Sequence, residues 1–155
     1  MRKRRNQRGL SLIELIVAFT ILMILTSMAV PLARNKVRAE KERDLRWALR
    51  EMRTAIDKYK DMYDQGQLPP GKIEQNGYPE KLDILVDGVK LAGKVDQKQR
   101  FLRRIPKDPM TNSTDWGLRS MQDDPKSTGW GGQNVFDVYT KSTDKAADGT
   151  PYSEW

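Results

Sequence analysis

The sequence contains no cysteine and no histidine. Their absence removes disulfide bridges, zinc sites of the Cys/His type, cysteine nucleophiles and every mechanism that turns on a histidine base. No phosphate-cradling loop is present either, because the glycine-rich stretch from Gly129 to Gly132 is followed by neither a lysine nor a helical pattern. A serine with a lysine base is chemically available, yet no spacing sets one up. The reading is therefore not an enzyme, and a membrane-tethered enzyme or binding module stands only as the competing class.

Acidic excess is also lacking: 28 basic side chains stand against 21 acidic ones, for a net charge of +7. Such a balance raises nucleic-acid binding, but the distribution argues against it. Arg2, Lys3, Arg4, Arg5 and Arg8 all fall in the first nine residues, and removing them leaves 23 basic against 21 acidic side chains. No electrostatic footprint for nucleic acid remains. At 155 residues with a mean hydropathy of -0.74, the chain has room for one small polar domain and a tail.

What is present is a long apolar run. Residues 10–33 are 24 in number and carry one ionisable side chain, Glu14. A helix of that length, at about 1.5 Å per residue, covers the roughly 30 Å hydrocarbon core of a bilayer. A secretory signal has a shorter apolar stretch closed by a small-x-small cleavage site, which this run does not offer. A carboxylate inside an apolar helix costs about 2.5 to 3.5 kcal/mol on insertion scales, so Glu14 calls for a partner outside its own helix. Charge does not fix the orientation, since residues 34–53 hold eight basic and four acidic side chains.

The sequence Arg8, Gly9, Leu10, Ser11, Leu12, Ile13, Glu14 resembles the type IV prepilin signature: a basic leader ending in glycine, an apolar first mature residue and a glutamate fifth in the mature chain. The resemblance implies cleavage by a prepilin peptidase between Gly9 and Leu10, followed by methylation of the new amine. Leu10 departs from the phenylalanine or methionine usual in the family. The resemblance further implies that Glu14 is an assembly contact, its carboxylate meeting the amine of a neighbouring subunit; an α-amine near pKa ~8 is largely cationic at neutral pH and suits that role. It places the leader in the cytoplasm and everything after Ala33 beyond the inner membrane, in the periplasm. Pro31 stands where many pilins carry a helix proline, and bending or melting is expected near Ala29 and Val30.

Beyond Pro31 a helical period continues. Leu45, Ala48, Leu49, Met52, Ile56, Tyr59 and Tyr63 recur at three and four residues and form one apolar stripe, with Trp47 on the opposite side. Glu42 with Arg46, and Asp57 with Lys60, are spaced as helical ion pairs. Gly66 and the run Pro69, Pro70, Gly71 stop the helix. From Ser11 to Tyr63 it would be about 80 Å long at about 1.5 Å per residue. The expected organisation is a leader (1–9), a transmembrane and filament-core helix (10–33), an amphipathic half of the same helix (34–65) and a small head (66–155). The fold class is α+β: a pilin-like lollipop whose long N-terminal helix packs by its C-terminal half against a small antiparallel sheet.

Within the head, a short helix is expected from Tyr78 and Pro79 to Leu85, a turn at Asp87 and Gly88, and a strand over Asn134 to Thr140 with Asp115 to Arg119 as its partner. The aromatic segment Pro151 to Trp155 is expected to pack back on the head. The order of these pieces resembles the major pseudopilin of type II secretion, although Met110, Thr111 and Asn112 follow Asp108 and Pro109 where that family has tryptophan, glycine and asparagine. The resemblance implies a structural filament subunit that supports protein export. Its partners would be further copies of itself, minor pseudopilins, the prepilin peptidase and the inner-membrane secretion or pilus assembly machinery. It also implies a calcium-binding loop, for which Asp144 and Asp148 supply oxygen chemistry. A type IV pilin of a surface filament is the alternative; the lack of a disulfide favours the secretion reading.

Overall fold

A computed structural model describes residues 11–93 and 97–155, with residues 28–32 described by backbone alone. The leader and the Gly9–Leu10 junction lie outside the described residues. The chain divides into two units, Met1–Glu40 and Lys41–Trp155.

One helix dominates: α1 runs from Leu12 to Asp64, 53 residues. It is continuous through Pro31, so the melting expected at Ala29 and Val30 does not interrupt it; a bend there lies outside the described side chains. A proline forfeits one N–H and crowds the preceding turn, a local loss that the flanking turns of a long helix survive. α1 stops as its sequence requires. Gly66 takes a left-handed φ of 69°, its N–H donates to Tyr63 O at 2.9 Å, and the Gln67 N–H donates to Met62 O at 3.0 Å. This paired closure satisfies the last carbonyls, and glycine adopts the required backbone without a Cβ penalty.

In the second unit the apolar stripe of α1 is the floor of the core. Leu45, Ala48, Leu49, Met52 and Ile56 are buried, joined by Ala55; Tyr59 packs against them at the edge. Over them lie Leu82 and Leu85, Leu102, Trp116, Val135, Val138 and Tyr152. Lys60 pairs with Asp64 one turn on, rather than with Asp57 as the spacing suggests.

The head carries a short helix α2 (Asp83–Asp87) and two antiparallel two-stranded ribbons, β1 (Val89–Lys90) with β2 (Lys98–Gln99), and β3 (Gly117–Arg119) with β4 (Asp137–Tyr139). The single sheet expected from sequence is thus two ribbons. The β3–β4 pair joins the two segments expected to pair, in the register Gly117↔Tyr139, Leu118↔Val138 and Arg119↔Asp137. The strand is shorter than the expected Asn134–Thr140, and for a readable reason: Val135 and Val138 are both buried, which a period of two forbids in one regular strand. The Val135 N–H leaves the ladder and donates to Pro79 O at 2.8 Å. Phe136 is accordingly exposed and meets Tyr78 edge-on, with ring centroids 5.2 Å apart.

Between α2 and β3 the loops are tied by a buried carboxylate. Asp108 accepts from the Met110 N–H at 2.8 Å, the Thr111 hydroxyl at 3.0 Å and the Thr140 hydroxyl at 2.5 Å. Three donors satisfy a polar group that water no longer reaches. The turn that begins at Asp108 and Pro109 is thereby fixed to the end of β4.

Candidate assembly surface

The amino-terminal unit places its side chains on one helix with no other described element to cover them. Leu12, Ile13, Leu15, Ile16, Val17, Phe19, Ile21, Leu22, Met23, Ile24 and Leu25 are all exposed, Leu12 by 79%. A helix apolar on every side is stable only inside a larger protein body or a membrane, and a contiguous apolar surface of this kind marks an association site.

The polar side chains of the run are handled in two ways. Thr20 donates its hydroxyl to Ile16 O at 2.8 Å, Thr26 to Leu22 O at 2.7 Å and Ser27 to Ile24 O at 2.7 Å. Each hydroxyl is thus satisfied by its own helix and adds no demand for water. Glu14 differs. It lies exposed in the first turn of α1, where a negative charge is favoured by the helix amides, and it is the ionisable side chain of an otherwise apolar surface.

Among the described residues no helix is long and apolar enough to cross a membrane. Within the apolar run the side chains of residues 28–32 lie outside those described. Gly9 and Leu10 precede the described residues, so the expected cleavage and methylation site has no geometry here.

The head offers two further candidates. Trp47, 63% exposed, lies opposite the core stripe, as its position in the period requires. With Asp44 and Glu51 of α1 and with Arg103, Arg104 and Lys107 it lines a groove of about 850 Å³. Periodicity placed the tryptophan outside, but only the tertiary fold brings the basic loop beside it.

Asp144 and Asp148 sit on a loop closed by the bridge between Lys145 and Pro151. Both carboxylates are exposed. Asp148 Oδ1 accepts from the Thr150 N–H at 2.9 Å, and that bond holds its carboxyl below the usual carboxylate range, with the Arg46 charge a smaller contribution. The loop carbonyls are used within the loop: Asp144 O accepts from Tyr152 N–H at 3.2 Å, Ala146 O from Gly149 N–H at 3.0 Å and Thr150 O from Ala146 N–H at 2.8 Å. Calcium takes six to eight oxygens, and among the described residues no three acidic, histidine or cysteine side chains gather at one point.

The model of the prokaryotic N-terminal methylation motif matches residues 4–30. The chain is similar to the type II secretion system core protein G of Escherichia coli K12, 30% identical over 118 residues that cover 72% of each chain. It is 33% identical to the Aeromonas hydrophila protein of the same name over 116 residues, 71% of this chain and 72% of that one. Against the Vibrio cholerae protein it is 30% identical over 151 residues, 93% of this chain and 86% of that one. No solved structure matches. With an exposed apolar helix bearing one exposed carboxylate, a methylation motif laid over that helix, and relatives matched through the head as well, the chain belongs to the family of the type II secretion system core protein G.

Proposed function

We propose that this protein is a structural subunit of a type II secretion pseudopilus, processed at its amino terminus and assembled into a helical filament that supports protein export. The observation that carries the proposal is the amino-terminal helix: an apolar surface exposed on every side, with the hydroxyls of Thr20, Thr26 and Ser27 bonded to their own helix and one carboxylate, Glu14, exposed in its first turn. Packing copies of this helix side by side would bury the surface and bring Glu14 to a neighbour's cationic amine at Leu10, whose charge would compensate the carboxylate once both leave water. Its role is structural and not enzymatic.

In the finer reading, a prepilin peptidase cuts between Gly9 and Leu10 in the cytoplasm, and residues 10–33 hold the subunit in the inner membrane as a single pass before assembly. The head is then periplasmic, and minor pseudopilins join the filament. The relatives' shared name supports the secretion reading over a surface pilus. The test is the intact mass of full-length protein extracted from membranes after co-expression with a prepilin peptidase. A chain beginning at Leu10, with or without one methyl group, is expected. An uncut chain, or one cut beyond Ala33, would refute the processing step and with it the assembly contact at Glu14.

A further inference from the structure

We infer that segment 141–155 of this protein is held to α1 by an arginine and aromatic latch that takes the structural place of a metal ion, so that the order of the segment does not depend on calcium. The inference goes beyond the filament reading and touches it only through the ion that the family resemblance implies.

The latch is built from one face of α1. Glu42, Arg46 and Arg53, spaced by four and seven residues, fall on the same side of the helix. Glu42 Oε1 accepts from the hydroxyl of Tyr152 at 2.7 Å, and Tyr152 is only 2% exposed. Trp155 stacks edge-on against Tyr152 with centroids 4.9 Å apart, and the Arg46 guanidinium lies 4.2 Å from the Trp155 ring. Arg53 donates from Nη2 to Trp155 O at 2.7 Å and from Nε to Asp137 Oδ1 at 2.7 Å.

From the sheet side comes Arg119, 5% exposed. Its Nη2 donates to Ser153 O at 3.0 Å and its Nε to Ser127 O at 2.9 Å, while its Nη1 lies 3.4 Å from Asp137 Oδ2. The role of a calcium ion in a surface loop is to gather carbonyl oxygens with positive charge. Here two guanidiniums gather the main-chain oxygens of Ser153 and Trp155, with Asp137 shared between them as counter-charge. Their planar forks hold that geometry in a way a lysine could not.

The same loop is poorly arranged for an ion. Its two carboxylates are exposed, Asp148 already accepts from Thr150, and the carbonyls of Asp144, Ala146 and Thr150 accept from their own loop.

The experiment is thermal unfolding of the full chain in detergent, followed by circular dichroism in excess EDTA and in millimolar calcium chloride. The expected result is the same Tm in both, with Trp155→Ala lowering Tm equally in both. Asp144→Asn with Asp148→Asn should likewise give the same Tm in EDTA and in calcium, since asparagine keeps an acceptor for the Thr150 N–H. An ion held at about a hundred times its Kd would instead raise Tm by on the order of 10 °C; such a rise, abolished by the double asparagine variant, would overturn the inference. Should Trp155→Ala fail to fold, hydrogen exchange of wild-type residues 144–155 in EDTA decides: protection is expected, and fast exchange slowed by calcium would refute the latch. None of these readouts depends on processing or filament formation, so they separate the latch from the filament reading.

Discussion

Replacing Gly117 by alanine should destabilise the head although it adds a single methyl group. The β3–β4 register sets Gly117 opposite Tyr139, and the tyrosine ring folds over the space that glycine leaves. That ring is held at both ends: its hydroxyl donates to Thr128 O at 2.7 Å, and the buried Arg119 guanidinium lies 4.1 Å from its centroid. A Cβ on residue 117 would come closer than 3.0 Å to atoms of the ring. Overpacking of this kind costs about 1 to 3 kcal/mol, which at about 4 °C per kcal/mol lowers Tm by roughly 4 to 12 °C. Gly129→Ala is the control, because the nearest atom to its added Cβ is Ser127 Oγ at 3.7 Å; it should be neutral. The assay is thermal unfolding of both variants, repeated in a Tyr139→Phe background. There the ring has no tether to Thr128 and the penalty at residue 117 should shrink. Equal Tm values for Gly117→Ala and Gly129→Ala, or an undiminished penalty beside Phe, would refute the reasoning.

Ile56→Ala removes a fully buried side chain from the helix floor and should cost about 2 to 5 kcal/mol in denaturant unfolding. Ile73→Ala, at a residue 94% exposed, should stay within about 0.5 kcal/mol. Asp123 accepts from the N–H groups of Ser120 at 2.7 Å and Gly131 at 3.0 Å, and these bonds hold its carboxyl below the ordinary value of 3.8. Because the folded value is the lower one, the stability it contributes is present above the ordinary value and is lost as pH falls through the depressed one. Asp123→Asn should therefore flatten the acid limb of the Tm against pH curve, and an unchanged limb would exclude this carboxylate as a source. Glu14→Ala should leave the mass of the processed chain intact yet reduce filament yield in electron micrographs; normal filaments would remove the proposed charge contact.

The sequence was legible where a pattern repeats or where a charge stands against its surroundings. Three- and four-residue spacing identified the face of α1 that is buried, from Leu45 to Ile56, because a helix turns its side chains at a fixed angle whatever packs on them. It omitted Ala55, although residue 55 stands three after Met52 and seven after Ala48 on the same face. Glycine at residue 66 marked the helix end because the left-handed closure admits few other residues. Glu14 was legible for the opposite reason, as one carboxylate in a run that otherwise excludes charge.

Short and non-local features were not legible. The β1–β2 ribbon has two residues on each side, too few to show alternation, and its pairing is a decision of the surrounding fold. The exit of Val135 from its strand depended on Pro79, 56 positions earlier, being ready to accept its N–H. Asp144 and Asp148 read from sequence as two acids on a polar loop, and nothing local showed that the loop closes on itself. What the sequence determined by itself was the long helix, its buried face, its end and its isolated carboxylate, since these follow from spacing and composition along one element. What only the tertiary structure decided was the joining of Glu42, Arg46, Arg53, Arg119 and Asp137 to the segment Tyr152 to Trp155, because those partners lie up to 110 residues apart and their meeting depends on how the chain folds back.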